Sequence, residues 1–332
     1  MARRWPIATL LLIFFASVPA QQSIAASINT DQINGAEFTG KSPSPDSISP
    51  LAVKLQVLLA RAHFSPGEID GKLGANAQKA LRAFAETRQL PGDGNLTREV
   101  WQKLAADSPP VLTQYTVAAK DVSGPFLPKL PTKLDDMKDL KALGYTNARE
   151  ALAEKFHVSE DLLSKLNPGQ KFDQAGAVII VPDLATSKLA ADAVARLEVD
   201  KNRDAVRAFD KSNNLLAFYP ATVGSEEKPS PSGNLKVVSV TPNPTYRYNP
   251  DYHFKGVKSK TAFNITPGPN NPVGTVWIQL NGEGYGIHGT PNPGKISKAD
   301  SHGCVRLTNW DAEELAQLVK KGMSVDFVEG RS

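Results

Sequence analysis

The sequence predicts a multidomain chain: a small all-α three-helix bundle, then an α+β module, then a mostly-β domain. Three observations carry that expectation. Apolar residues recur at helical spacing between 50 and 105, two helical stretches lie between strand-like runs from 111 to 184, and period-two alternation punctuated by turn residues dominates 194 to 329. A length of 332 residues suits two or three folded units. The hydrophobic share of 41% and charged share of 22% allow each unit a buried core. A net charge of +4 favours an anionic neighbour but is far from a nucleic-acid signature.

Residues 1–26 read as a signal peptide. Arg3 and Arg4 give a positive start, 7–15 is an apolar run too short for a comfortable membrane span, and Val18-Pro19-Ala20 or Ile24-Ala25-Ala26 offers a cleavage site. The expected location is therefore the periplasm or cell envelope, with membrane contact only during export. Residues 27–49 are polar, end in Lys41-Ser42-Pro43-Ser44-Pro45-Asp46-Ser47, and read as a disordered linker.

In the helical unit, Leu51, Leu55, Leu58 and Leu59 mark a first helix that Pro66-Gly67 ends. Asp70-Gly71 sets a turn, Ala80, Leu81 and Phe84 share one face of a second helix, and Thr97 caps a third running to Leu104. Pro109-Pro110 begins a second linker. In the module from 111 to 184, Tyr115-Thr116-Val117 reads as a strand, 148–155 and 159–166 as helices with Ser159 as N-cap, and 178–182 as a strand stopped by proline. A long insert, 118–147, separates the first strand from the helices. In the last domain, 196–200, 205–209, 215–219, 236–240 and 276–280 read as strands, and Asp210-Lys211-Ser212-Asn213-Asn214 as a hairpin turn. One helix is expected over 311–321, with Thr308 and Asp311 as a capping box and Gly322 ending it.

Two segments carry the chemistry: Tyr285-Gly286-Ile287-His288-Gly289-Thr290 and Ser301-His302-Gly303-Cys304-Val305-Arg306-Leu307. Cys304 is the one cysteine of the chain, so no internal disulfide forms, and a single thiol in an exported protein reads as reactive. A free cysteine is more often a small buried hydrophobe. Here Gly303 permits close backbone approach, and Arg306 with an imidazole favours the thiolate. The intervening loop, 291–300, is polar and expected on the surface. A thiol nucleophile needs a proton acceptor, and both His288, at the end of a strand-like run, and His302, two residues from Cys304, meet that need on residues alone. A zinc site built from His288, His302 and Cys304 lacks the usual spacing and a fourth ligand, so neither metal nor cofactor is expected. His63, His157 and His253 read as structural.

His288-Gly289-Thr290 followed by the string from Ser301 to Leu307 resembles the L,D-transpeptidase (YkuD-like) catalytic domain, with coverage of 194–329. Pro231-Ser232-Gly233, the stretch 267–274 and Trp277-Ile278 extend the likeness, with serine where the family's turn has threonine. The unit at 50–105 resembles a peptidoglycan-binding domain through Leu55-Gln56, Ile69-Asp70-Gly71-Lys72-Leu73-Gly74, Ala80-Leu81, Phe84, Trp101 and Leu104. The module at 111–184 resembles a LysM glycan-binding module through Tyr115-Thr116-Val117, Leu152-Ala153-Glu154-Lys155-Phe156, Leu162-Leu163, Leu166-Asn167 and Ile180-Val181-Pro182. The insert is its departure from that pattern, and a role as a docking piece for the catalytic domain is the other reading of this module.

The resemblance implies Cys304 as nucleophile and His288, ahead of His302, as general base. It implies the Gly289 carbonyl as the group orienting the imidazole, and backbone N–H groups near Gly303 and Cys304 as an oxyanion hole. Arg306 would support the loop or a substrate carboxylate, and Ser301 and His302 would shape the pocket. The implied substrate is a peptidoglycan tetrapeptide stem, acylated onto the thiol with loss of D-Ala and passed to an amine of a second stem or of a wall-anchored protein. Reaction of the thiol with carbapenems is implied as well. Water as acceptor would make a carboxypeptidase from the same site. A non-enzymatic wall-binding protein is the remaining alternative, against which the intact Cys, His and Arg stand.

Overall fold

A computed structural model describes residues 29–106, 108–185, 188–224, 229–252, 256–298 and 303–330. The expected signal peptide lies outside the described residues, as do His253, Ser301 and His302. No helix among the described residues is long and apolar enough to cross a membrane.

The stretch expected to be a disordered linker is instead ordered from residue 29 onward. Helix α1 (Thr30–Asn34) starts at a capping box in which Asn29 and Gln32 exchange hydrogen bonds, and it buries Ile33 completely. The Asn34 side-chain oxygen then accepts the backbone N–H groups of Val111 and Leu112 at 2.9 and 3.0 Å. Glu37 meets Lys54 at 3.1 Å and accepts the indole N–H of Trp101 at 2.9 Å. Polar composition suggested solvation; these polar groups are spent on specific partners instead.

Helices α2 (Pro50–Arg61), α3 (Ala75–Thr87) and α4 (Arg98–Leu104) follow. Ser49 caps α2 with Pro50 in its first turn, and Thr97 caps α4. Buried Gln56 explains the Asp-Gly-Lys turn. It accepts the N–H of Gly71 at 2.7 Å and donates to Asp70 at 2.9 Å and to the Lys72 carbonyl at 3.0 Å.

Strand β1 (Leu112–Thr116) pairs antiparallel with β2 (Val178–Pro182), around α5 (Ala119–Val122), α6 (Leu134–Met137), α7 (Ala148–Lys155) and α8 (Glu160–Leu166). The front helices and this module share one core with the domain that follows: Phe64, Ile69, Leu152, Val158, Ala205 and Phe218 belong to a single apolar cluster. Backbone bonds stitch the same boundary. Ser65 N–H donates to Phe218 O and Phe218 N–H to His63 O, both at 2.9 Å, while Ile69 N–H donates to His157 O at 2.8 Å.

The mostly-β domain contains β3 (Arg196–Asp200), β4 (Ala205–Phe209), β5 (Leu215–Pro220), β6 (Thr222–Val223) and β7 (Gly233–Pro242). A ribbon of β8 (Tyr246–Tyr248) and β9 (Phe263–Ile265) stands apart, and β10 (Val276–Leu280), β11 (Gly286–His288), β12 (Val305–Arg306), α9 (Asn309–Leu318) and β13 (Ser324–Val328) complete it. The nine strands of the main sheet run β5-β4-β3-β13-β7-β10-β11-β12-β6, parallel at β13/β3 and β11/β12 and antiparallel elsewhere. Helix α9 lies under the half of this sheet whose inward residues are Ile278, Ile287 and Val305, and meets them with Ala312 and Leu315. It begins two residues earlier than expected because Thr308 alone is its N-cap, accepting the Asp311 N–H at 3.2 Å. It stops at Leu318 because Val319 turns extended before Gly322 is reached.

Two of the histidines read as structural sit at the boundary between units. His63 meets Glu314 at 2.6 Å, and His157 stacks on Trp310 at 5.0 Å between ring centres. Between them Ser65 donates to the Asp311 carboxyl at 3.0 Å, and burial pushes the pKa of that carboxyl up to about 7. Folded chains therefore hold a proton on Asp311 that unfolded chains lose near pH ~4. The folded state binds more protons between those values, so this group's contribution to stability falls as pH rises from about 4 to 7. Replacing Asp311 by Asn is expected to make the unfolding free energy decline less steeply between pH 5 and 7, measured by urea titration. Identical slopes in the two proteins would count against the buried protonated carboxyl.

Candidate active site

Register and pleat bring the candidate residues together. β11 and β12 pair in parallel with Ile287 opposite Val305 and His288 opposite Arg306. Side chains alternate between faces along a strand, and partners in register share a face. Ile287 and Val305 therefore point into the core over α9, and both are fully buried. His288, Arg306 and Cys304, two residues before Arg306, occupy the opposite face. On the other side of β11, Trp277 of β10 pairs with His288 and Gln279 with Gly286. All five of these side chains line one cavity of about 1080 Å³, with Tyr285, Gly303 and Glu283 at its wall.

His288 is nearly fully buried and stacks on the Trp277 ring at 5.4 Å. Its Nδ1 lies 2.7 Å from the carbonyl oxygen of Gly289. A carbonyl can only accept, so Nδ1 carries the proton and Nε2 presents its lone pair. Burial and, secondarily, the nearby Arg306 charge push the His288 pKa down to about 3, with the Gly289 bond opposing them. The ring is neutral across the neutral range. The peptide at Gly286 comes so close under Trp277 that a Cβ there would lie 2.5 Å from the indole, so only glycine fits at that strand position.

Cys304 is half-buried and its Sγ lies 3.4 Å from the carbonyl oxygen of Gly284. Gly303 immediately before it has φ +96°, a conformation that favours glycine, and its carbonyl accepts from Ser230 Oγ at 3.0 Å. The sequence reading expected the adjacent arginine and imidazole to favour the thiolate. Burial is the larger effect and raises the Cys304 pKa; the Gly286 N–H and Arg306 pull it down, the arginine as expected, without overcoming burial. The resting pair is a neutral thiol beside a neutral imidazole.

The structure thus brings Cys304, His288, Gly303 and Arg306 to one cavity, with the Gly289 carbonyl behind the imidazole, while Ser301 and His302 lie outside the described residues. The loop expected on the surface is anchored in part: Ile296 is buried, and its carbonyl accepts from Asn76 of α3 at 3.1 Å. The sequence reading missed Trp277, Gln279 and Tyr285 as cavity residues. The alternation of Trp277 and Gln279 with buried Ile278 and Leu280 was the available signal. It also missed Asn309, which accepts the Thr275 N–H at 3.2 Å and donates to Glu154 of α7 at 3.0 Å, tying the start of α9 to the module in front. Among the described residues no group of three or more His, Cys, Asp or Glu side chains is arranged to hold a metal ion.

With a single cysteine in the chain, alkylation reports on Cys304 alone. Its rate with iodoacetamide is expected to keep rising with pH beyond the ordinary thiol range near ~8.5. A rate that levels off below about pH 7, as a preformed thiolate–imidazolium pair would give, would refute the neutral resting state.

The chain is similar to known proteins over two stretches. Residues 195–327 match the family model "L,D-transpeptidase catalytic domain", and residues 49–104 match "Putative peptidoglycan binding domain". The chain is 31% identical over 181 residues to "Putative L,D-transpeptidase YkuD" of Bacillus licheniformis, an alignment covering 54% of this chain and 92% of that protein. It is 28% identical over 176 residues to the Bacillus subtilis protein of the same name, covering 53% and 90%. Among solved structures, the L,D-transpeptidase (residues 123–326) from Xylanimonas cellulosilytica aligns over 88% of this chain and 100% of that one, at 15% identity and a TM-score of 0.39. The extent and identity of the Bacillus licheniformis match, together with the catalytic-domain match, establish that this chain belongs to the L,D-transpeptidase family and carries a peptidoglycan-binding domain ahead of its catalytic domain.

Proposed function

We propose that the chain is a peptidoglycan L,D-transpeptidase working through a Cys304 thioester. The observation that carries this reading is the His288 tautomer: Nδ1–H is committed to the Gly289 carbonyl, which leaves Nε2 as a base on the face of the sheet that carries the thiol. The donor is a tetrapeptide stem ending in diaminopimelate and D-Ala. Sulfur attacks the carbonyl joining those two residues as its proton passes to His288 Nε2. The tetrahedral oxyanion is held by backbone N–H groups at Gly303 and Cys304. The C–N bond then breaks, His288 returns the proton to the departing D-Ala amine, and a thioester remains. An acceptor amine, from a second stem or a wall-anchored protein, attacks the thioester and gives its proton to His288. The released sulfur recovers that proton.

The depressed imidazole pKa keeps His288 unprotonated and available as acceptor at neutral pH, with a weaker pull on the thiol proton than an unperturbed imidazole would exert. Arg306 braces the strand beside His288 and offers positive charge to substrate, and the family resemblance gives Ser301 and His302, outside the described residues, the role of shaping the pocket. The domain roles follow: export by residues 1–26 to the cell envelope, wall attachment by 50–105, glycan contact or docking by the LysM-like module at 111–184, and catalysis by 194–329. The basic balance of the chain, +4, suits an anionic wall. No cofactor or metal enters the cycle.

The test is mass spectrometry of muropeptides after incubation with a tetrapeptide donor. Crosslinked dimers are expected from the wild-type chain and none from Cys304→Ala, with binding to isolated wall retained. His288→Ala is expected to lower the rate about 10²–10⁴-fold, whereas His63→Ala, whose ring meets Glu314, is expected to retain most of it. Dimers from Cys304→Ala would overturn the mechanism, and tripeptides in place of dimers would make water the acceptor.

A further inference from the structure

The insert that separates the first strand of the middle module from its helices makes its contacts with the catalytic domain. The Asp135 carboxylate accepts the backbone N–H groups of Lys258 and Ser259 at 2.7 and 3.2 Å. Thr266 Oγ1 donates to Leu140 O at 3.0 Å, Leu143 N–H donates to Pro267 O at 3.1 Å, and Asn270 N–H donates to Leu143 O at 2.9 Å. A separate small core sits between the two: Met137 and Leu143 of the insert are buried against Ile265 of β9, with Leu134, Tyr246 and Phe263 packed around them. Hydrogen bonds at both ends and an apolar centre fix the insert to the β8–β9 ribbon as one unit.

That unit overhangs the face of the sheet that carries His288 and Cys304. Thr132, Lys133 and Leu134 from the insert, and Tyr246 and Arg247 from β8, line the same cavity. Among the described residues, the charged side chains lining it are Lys133, Arg247 and Arg306 against one acid, Glu283. Arg306 lies at the inner end beside the thiol, whereas Lys133 and Arg247 are exposed. A cavity whose roof adds two cations selects an anionic occupant, and an ammonium and a guanidinium match a carboxylate by charge and by hydrogen bonding.

We propose that the insert is a substrate-recognition wall in which Lys133, together with Arg247, binds a free carboxylate of the peptide stem at the cavity mouth. The inference rests on the transpeptidase reading above, and it assigns to the middle module a share in substrate choice besides any contact with glycan. Because both side chains are exposed, their pull is screened by salt and acts on binding more than on the chemical step.

Binding is measured by calorimetry in the Cys304→Ala background, using a tetrapeptide stem with free carboxylates and the same peptide with its carboxylates capped as amides. Lys133→Glu is expected to weaken binding of the free peptide about fivefold or more at low salt, less at ~0.5 M salt, and to leave the capped peptide unaffected. Lys138→Glu, exposed on the same insert but outside the cavity lining, is the control and should change neither. Equal affinity of the Lys133→Glu protein and its parent for the free peptide, or equal losses with both peptides, would overturn the inference. Wild-type turnover is scored separately: a protein that binds the stem through Lys133 but forms no product would refute the transpeptidase reading and leave the recognition wall standing.

Discussion

The parallel pairing of β11 with β12 is the constraint on which the site depends. Parallel neighbours cannot be joined by a tight turn, so the chain leaves His288, travels through the loop at 291–300, and returns to lay Val305 beside Ile287. That return puts Ile287 and Val305 into the core, which in turn forces His288, Cys304 and Arg306 onto the cavity face. A slip of one residue would bury the imidazole partner on the wrong side and turn the thiol toward α9. The burial of Ile287 and Val305 is thus what holds the chemistry in place, and the helix beneath them is part of the site even though it contributes no reacting group.

Around that pairing the units fuse rather than hang from linkers. Phe64 and Ile69 from the front helices share a core with Leu152 and Val158 of the middle module and with Ala205 and Phe218 of the main sheet. Polar ties run alongside: His63 to Glu314, Ser65 to Asp311, and Glu154 to Asn309 all end on α9. The helix that backs the catalytic strands is consequently gripped by both preceding units, so the peptidoglycan-binding domain is held at a fixed orientation to the cavity.

Much of the site was readable in the sequence because its parts are local. His288-Gly289 and Gly303-Cys304-Val305-Arg306 are short strings whose chemistry follows from residue type, and strands such as 196–200 and 276–280 announce themselves by alternation. The remainder was not, because it depends on contacts distant in the chain. Nothing in the polar run 29–49 reveals that Asn34 will cap a strand at 111 and 112, or that Glu37 will meet Trp101. The thiol's raised pKa comes from burial that only the folded cavity creates, and it outweighs the lowering by Arg306 that residue types alone suggest. The insert at 118–147 looked like an interruption of its own module because its partners, from Tyr246 to Asn270, lie more than a hundred residues downstream.

The backbone bonds between the front unit and β5 carry one further implication. β5 is the outermost strand of the nine-stranded sheet, and the segment at His63 and Ser65 lies alongside it, taking up hydrogen bonds at Phe218 on the side turned away from β4. An uncovered strand margin of this kind is a template for another copy of the same chain. The front helices therefore act as a stopper on the sheet, and a catalytic fragment cut free of them would expose Phe218 together with its N–H and C=O groups, inviting strand-to-strand association between molecules.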